Sequence, residues 1–163
     1  MSDVKNIIFA GLGGQGVLKS TDILAEALFS AGFDVKKSEV HGMSQRGGSV
    51  SSEVRFGSKV NSPMVPEGEC DYLVVIDQTQ VEVNADKISD KKNLITPDDF
   101  DVKMLENPRS INVALLGVLA GRLSRSGVLN IPCEKWYEAI KDNFAPKLHE
   151  INIRAFDNGF NAK

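Results

Sequence analysis

Two short strings in this chain carry residue types suited to holding an anion. The first is Gly11-Leu12-Gly13-Gly14-Gln15-Gly16, directly after the apolar run Ile7-Ile8-Phe9-Ala10. Glycines spaced G-x-G-x-x-G between a strand and a helix permit a tight turn and close approach of backbone to a phosphate. They also leave amide N–H groups at the positive end of the helix dipole. The second string is His41-Gly42-Met43-Ser44-Gln45-Arg46-Gly47-Gly48. There Arg46 offers a planar fork for phosphate or carboxylate, Ser44 a hydroxyl, and Gly47-Gly48 backbone amides with little steric cover. Other readings stay open. The first loop also suits a dinucleotide, with Glu39 as the acid that would hold a ribose hydroxyl, or a bare structural turn with nothing bound. Arg46 could pair with Glu39 or Glu53 and order its own loop. His41 suits a general base or a packed strand-end residue, and His149 is expected to face solvent from the last helix.

The elements that must position these strings follow from hydrophobic periodicity. Ile7–Ala10 reads as a buried strand, and Val17, Ile23, Leu24, Ala27, Leu28 and Ala31 form one face of a helix stopped by Gly32. Val35–Val40 reads as a second strand, parallel to the first through a right-handed crossover, so that both strings lie at one carboxyl edge. Val50, Ser52, Val54 and Phe56 alternate with polar residues as a two-faced strand, with Lys59–Asn61 as its short antiparallel partner. Residues 62–69 read as an irregular loop, Tyr72–Ile76 as a strand buried on both faces, and Asn93–Thr96 as a weaker strand. Val113–Leu123 reads as a helix whose Ala114, Gly117, Ala120 and Gly121 allow close packing on a sheet or another helix. Pro132 and Pro146 suit the first turns of two more helices, the last carrying a stripe of Leu148, Ile151, Ala155 and Phe156. The expected fold is a single three-layer α/β/α domain over residues 1–163, with a mixed, mainly parallel sheet and a Rossmann-like first strand–helix unit.

Composition narrows the class. With 163 residues, 42% hydrophobic and 25% charged, the chain reads as one globular domain. A net charge of −3 gives no global attraction to nucleic acid. Cys70 and Cys133 are the only cysteines and lie far apart, which argues against a disulfide framework, a zinc site or an iron–sulfur cluster held by this chain alone. No basic-then-apolar leader and no run of about 18 apolar residues is present, so a cytoplasmic location is expected, with no membrane partner.

The Gly11–Gly16 loop, the His41–Gly48 string, Asn112 and the Asn152-Ile153-Arg154-Ala155-Phe156 segment together resemble the γ-type subunits of the 2-oxoacid:ferredoxin oxidoreductases. The likeness runs along nearly the whole chain, and the His41-Gly42-Met43 lead-in is most similar to the indolepyruvate branch. The resemblance implies a subunit that packs against larger partners carrying thiamine diphosphate, Mg²⁺ and iron–sulfur clusters. The whole enzyme would oxidatively decarboxylate a 2-oxo acid, reduce ferredoxin and release an acyl-CoA. It further implies that Gly11, Gly13, Gly14, Gln15, Gly16, Ser44, Gln45, Arg46, Gly47 and Gly48 contribute a coenzyme A or phosphate edge. No G-D-G segment with distant paired asparagines is present to hold thiamine diphosphate, so neither catalytic nor metal-binding residues are expected here. The alternative from the first loop alone is a free-standing NAD(P)-binding Rossmann-like enzyme or redox sensor.

Overall fold

The computed structural model describes residues 3–41 and 48–162. A five-stranded sheet has the order β2-β3-β1-β4-β5, formed by β1 (Lys5–Leu12), β2 (Asp34–His41), β3 (Ser49–Gly57), β4 (Tyr72–Val75) and β5 (Leu94–Ile95). As expected, Ile7–Ala10 and the run from Tyr72 lie at the centre, where both faces are covered and consecutive residues must be apolar, the second strand ending at Val75, one residue before the expected Ile76. β1 pairs in parallel with β4, and β4 with β5, whereas β3 runs antiparallel to both β1 and β2. Four strands therefore share one direction and β3 alone opposes them.

Two expectations for this region need correction. β2 runs in the direction of β1 but does not pair with it, because β3 is inserted between them along its full length, with Ile7 opposite Val54 and Lys37 opposite Val54 from the other side. The antiparallel partners of β3 are therefore β1 and β2, and Lys59–Asn61 forms no strand. Val60 is instead buried, its amide donating to the Asp34 carboxylate at 2.7 Å.

The long helices gather on one face: α1 (Val17–Ser30), α3 (Ile111–Arg125), α4 (Cys133–Asn143) and α5 (His149–Phe160). They bury Ile7, Phe9, Val54, Phe56 and Val74 in the main core. The alternate residues Ile8, Ala10, Leu73 and Val75 meet a thinner cover that includes Val65 and the short helix α2 (Val81–Asn84). α1 ends where expected. Gly32 takes φ +98°, its amide reaches the Phe29 carbonyl and the Phe33 amide reaches Leu28, a left-handed helix stop. The small residues of α3 face another helix, α5. A Cβ on Gly117 would lie 2.2 Å from the Phe156 carbonyl oxygen, and one on Gly159 only 1.9 Å from that of Ala114. On α5 the buried set is Asn152, Ala155, Phe156 and Gly159, while Leu148 and Ile151 are half-buried. Pro132 precedes α4 as its cap residue, and Pro146 opens a 3-10 turn that leads into α5.

Candidate functional site

The glycine loop leaves the carboxyl end of β1 and enters α1, a 14-residue helix without a side-chain N-cap. Gly14 and Gly16 take φ of +92° and +81°, which L side chains rarely adopt. Gly16 is further fixed from across the chain: the Asn112 amide of α3 donates to its carbonyl at 3.1 Å, and a Cβ there would lie 2.4 Å from that nitrogen. Asn112 is only 4% exposed, so this contact is part of the loop's foundation.

Gln15 turns inward. Its Oε1 accepts from the Leu12 amide at 2.7 Å and its Nε2 donates to Asp77 Oδ2 at 2.6 Å, just beyond β4. Gly11 is buried and makes room for this side chain, since a Cβ there would meet Gln15 Oε1 at 2.9 Å. Asp77 also caps the following turn, and the Thr79 hydroxyl, then the Gln15 amide, hold its carboxyl below the usual range. The loop is thus braced from below by Gln15 and from the side by Asn112.

Gly48, the described end of the second string, meets the first loop. The Gly13 amide donates to the Gly48 carbonyl at 2.8 Å, at the edge where β1 ends and β3 begins. This places Gly48 at the carboxyl edge of β1, as expected. It also takes the Gly13 amide out of service, leaving the amides of Gly14 and Gly16 without partners among the described residues. Ser44, Gln45, Arg46 and Gly47 lie outside the described residues, so neither a ligand contact nor an Arg46 pair with Glu39 or Glu53 is defined.

Glu39 does not reach the glycine loop. It sits on the edge strand β2, bonded to Lys37 at 2.7 Å, with β3 between it and β1. Two inter-strand spacings separate it from β1, about 9–10 Å, so it does not occupy the place of a ribose-holding acid. His149 is half-buried, not solvent-facing, and a ring nitrogen lies 2.8 Å from the Phe144 carbonyl.

Residues remote in sequence complete the surroundings. A cavity of about 740 Å³ opens beside Gly13–Gly16, with Lys19, Arg109, Asn112 and Phe144 on its walls. Lys19 donates to the Asn143 carbonyl at 2.9 Å and lies 5.4 Å from the centre of the Phe144 ring. The Arg109 guanidinium has no partner among the described residues, and its planar fork is of a shape that suits an anion. Arg109, Lys19 and Phe144 were not signalled by the sequence strings. Only the packing of α4 beside α1, and of the turn before α3 beside the loop, brings them together. Among the described residues the site thus has two unpartnered amides at a helix N-terminus, two cations and an aromatic wall, a setting for a phosphate-bearing ligand.

No group of three His, Cys, Asp or Glu side chains positioned for a metal occurs among the described residues. Cys70 is buried, and its burial pushes the thiol up to about 12. No helix among the described residues is long and apolar enough to cross a membrane.

The family described as pyruvate ferredoxin/flavodoxin oxidoreductase matches residues 6–103 and 81–162. The chain is 32% identical to indolepyruvate oxidoreductase subunit IorB of Thermococcus kodakarensis, over 96% of this chain and 95% of that one. It is 29% identical to the common γ subunit of pyruvate/ketoisovalerate oxidoreductases of Pyrococcus furiosus, over 90% of each. Its fold matches the γ subunit of a keto/oxoacid ferredoxin oxidoreductase from Geobacter sulfurreducens PCA with a TM-score of 0.77 at 22% identity, covering 98% of this chain and 95% of that one. It also matches 31% of a 2-oxoglutarate:ferredoxin oxidoreductase chain from Magnetococcus marinus, with a TM-score of 0.74 at 23% identity over 98% of this chain, so the same fold recurs as one part of a longer polypeptide. The chain belongs to the pyruvate ferredoxin/flavodoxin oxidoreductase family.

Proposed function

We propose that this chain is the small, γ-type subunit of a cytoplasmic 2-oxoacid:ferredoxin oxidoreductase and that it holds none of the reacting groups. The observation that carries the reading is correspondence with IorB, a named subunit, over 96% of this chain and 95% of that one; the cavity beside Gly13–Gly16 supports it. The 2-oxo acid is an aryl, branched or short one, with indolepyruvate favoured by the relatives' names. Thiamine diphosphate with Mg²⁺ and iron–sulfur clusters, bound by larger partner subunits, supply carbanion stabilisation and electron transfer to ferredoxin. This chain contributes a subunit interface and an edge for coenzyme A.

In that role Gly14 and Gly16 present amides to a phosphate, Gln15 and Gly11 hold the loop in shape, and Gly13 and Gly48 join the two loops. Arg46, with Ser44, Gln45 and Gly47, completes the anion contacts from the second loop. Lys19 and Arg109 add positive charge from the cavity side. The Coulomb attraction of such cations for a phosphate, in a partly dehydrated cleft, orients the cosubstrate without taking part in bond cleavage.

The test is reconstitution. The purified chain is expected to show no 2-oxo acid-dependent reduction of ferredoxin or viologen. Adding the partner subunits with coenzyme A is expected to restore it, and the chain should co-purify with them from its native host. Turnover by the isolated chain contradicts the proposal. Tight NAD binding by the isolated chain in calorimetry supports the free-standing dinucleotide alternative instead.

A further inference from the structure

Helices α1 and α4 lie antiparallel and are clasped at both ends by a lysine. Lys19, early in α1, donates to the Asn143 carbonyl at the end of α4 at 2.9 Å. Lys135, early in α4, donates to the Ser30 carbonyl at the end of α1 at 3.0 Å. Each ammonium thus sits at the negative end of the opposite helix. Between the clasps lies Glu26, whose Oε2 is the one buried side-chain nitrogen or oxygen among the described residues that lacks a hydrogen-bond partner.

The charges acting on Glu26 are acidic. Asp142 on α4 lies within hydrogen-bonding reach, and Asp22 is one turn earlier on α1. The nearby cations are engaged elsewhere: Lys37 of β2 bonds Asp22 and Glu39, and Lys19 and Lys135 bond backbone carbonyls. Glu138 and Lys141, the other charged residues late in α4, are not among the groups that act most on Glu26. Two carboxylates facing each other with a dehydrated oxygen between them repel, whereas two carboxyls sharing a proton attract. Burial first, then the Asp142 carboxyl and then the Asp22 charge push the Glu26 carboxyl from 4.5 up to about 7.

We propose that Glu26 and Asp142 share one proton across the α1–α4 contact, and that releasing it to solvent as the pH rises past neutrality loosens the carboxyl end of α4. The consequence reaches the glycine loop through two residues that follow at once. Asn143 holds Lys19, and Phe144 forms the aromatic wall of the cavity. Protonation therefore holds the wall against Lys19, and proton loss frees it. The device does not depend on which ligand the cavity takes.

The chain carries one tryptophan, Trp136, which lies on α4, is 2% exposed and packs 5.3 Å from Phe156. Its fluorescence reports how α4 is seated. In the full-length chain, acrylamide quenching of Trp136 is expected to rise about twofold from roughly pH 5.5 to pH 8.5, with a midpoint near the Glu26 value. Glu26→Gln supplies a neutral amide that donates to Asp142 at every pH, so its profile is expected to be flat. Asp142→Asn, a change at an exposed position, provides the same flattening should Glu26→Gln fold poorly. His149 also bonds the Phe144 carbonyl. A transition that persists in both carboxyl variants overturns the proposal, as does a flat profile in the unaltered chain.

Discussion

The amide of Gly13 donates to the carbonyl of Gly48 at 2.8 Å, so the first glycine loop is tied by backbone to a residue 35 positions further along the chain. The link exists because β3 lies beside β1 with Leu12 opposite Ser49, which delivers the end of the second loop to the exit of the first. Gln15 and Asn112 then brace the first loop from beneath and from α3. A ligand held by the first loop meets prearranged backbone, and the energetic cost of ordering that loop is met before binding.

The brace beneath the loop has a pH signature. Gln15→Glu places a carboxylate where the amide now donates to Asp77 at 2.6 Å. Above about pH 5 the two like charges are expected to destabilise the protein, by on the order of 1–3 kcal/mol with the lost hydrogen bond. Lowering the pH should restore part of this as one carboxyl takes a proton. Urea unfolding at pH 4.5 and pH 7 measures it, and an equal loss at both values contradicts a direct Gln15–Asp77 contact.

Close packing of α3 on α5 gives a second test. Gly159→Ala gains up to about 1 kcal/mol in helix propensity. It also drives a methyl to 1.9 Å from the Ala114 carbonyl oxygen, and that atom belongs to helix backbone that cannot yield. The helices must part, and a net loss of about 1–3 kcal/mol is expected in denaturant unfolding. A neutral or stabilising effect would mean that the two helices are less closely apposed.

The Glu26 pair carries a stability prediction of definite sign. Its folded carboxyl titrates near 7, above its ordinary 4.5, so the native state binds more protons than the unfolded chain between these values. Stability therefore falls as the pH rises from about 4.5 through 7, by a total on the order of 1–3 kcal/mol. Thermal melts across this window should show the fall in the unaltered chain and a shallower one in Glu26→Gln. Parallel slopes in the two proteins contradict it.

The two thiols should differ in reactivity. Cys70 is fully buried with its thiol pushed up to about 12, while Cys133 is only half-buried. Alkylation at about pH 8 is expected to label Cys133 in the native protein and Cys70 only on unfolding. Equal labelling rates, read by mass spectrometry, would show that the cover over Cys70 opens readily.

The parts legible in the sequence are those fixed by local pattern. The apolar runs 7–10 and 72–75 are central strands, Gly32 stops α1, and the small residues of α3 mark a close helix contact. What the pattern does not encode is pairing at a distance. Nothing in Val35–Val40 tells that β3 will separate it from β1, and that one insertion removes Glu39 from the loop it was expected to serve. The alternation of Val50–Phe56 marks a strand but leaves its partner open, and β2 takes the place expected for Lys59–Asn61. Gln15 looks like a ligand contact in a glycine loop, and only the position of Asp77 beyond β4 draws its side chain inward. Arg109, Lys19 and Phe144 are ordinary residues in sequence whose meeting depends wholly on helix packing.

The central claim, that this edge binds coenzyme A for a larger enzyme, is tested most directly by the coenzyme A KM of the assembled complex carrying Arg46→Ala. A charge-assisted contact to phosphate is worth about 1.5–3 kcal/mol, so the KM should rise about ten- to a hundredfold or a little more. Arg46→Lys should recover only part of the loss, since a point charge lacks the planar fork. Subunit stoichiometry and thermal melting should stay unchanged in both variants. An unchanged KM in a folded, fully assembled Arg46→Ala complex contradicts the account at its centre.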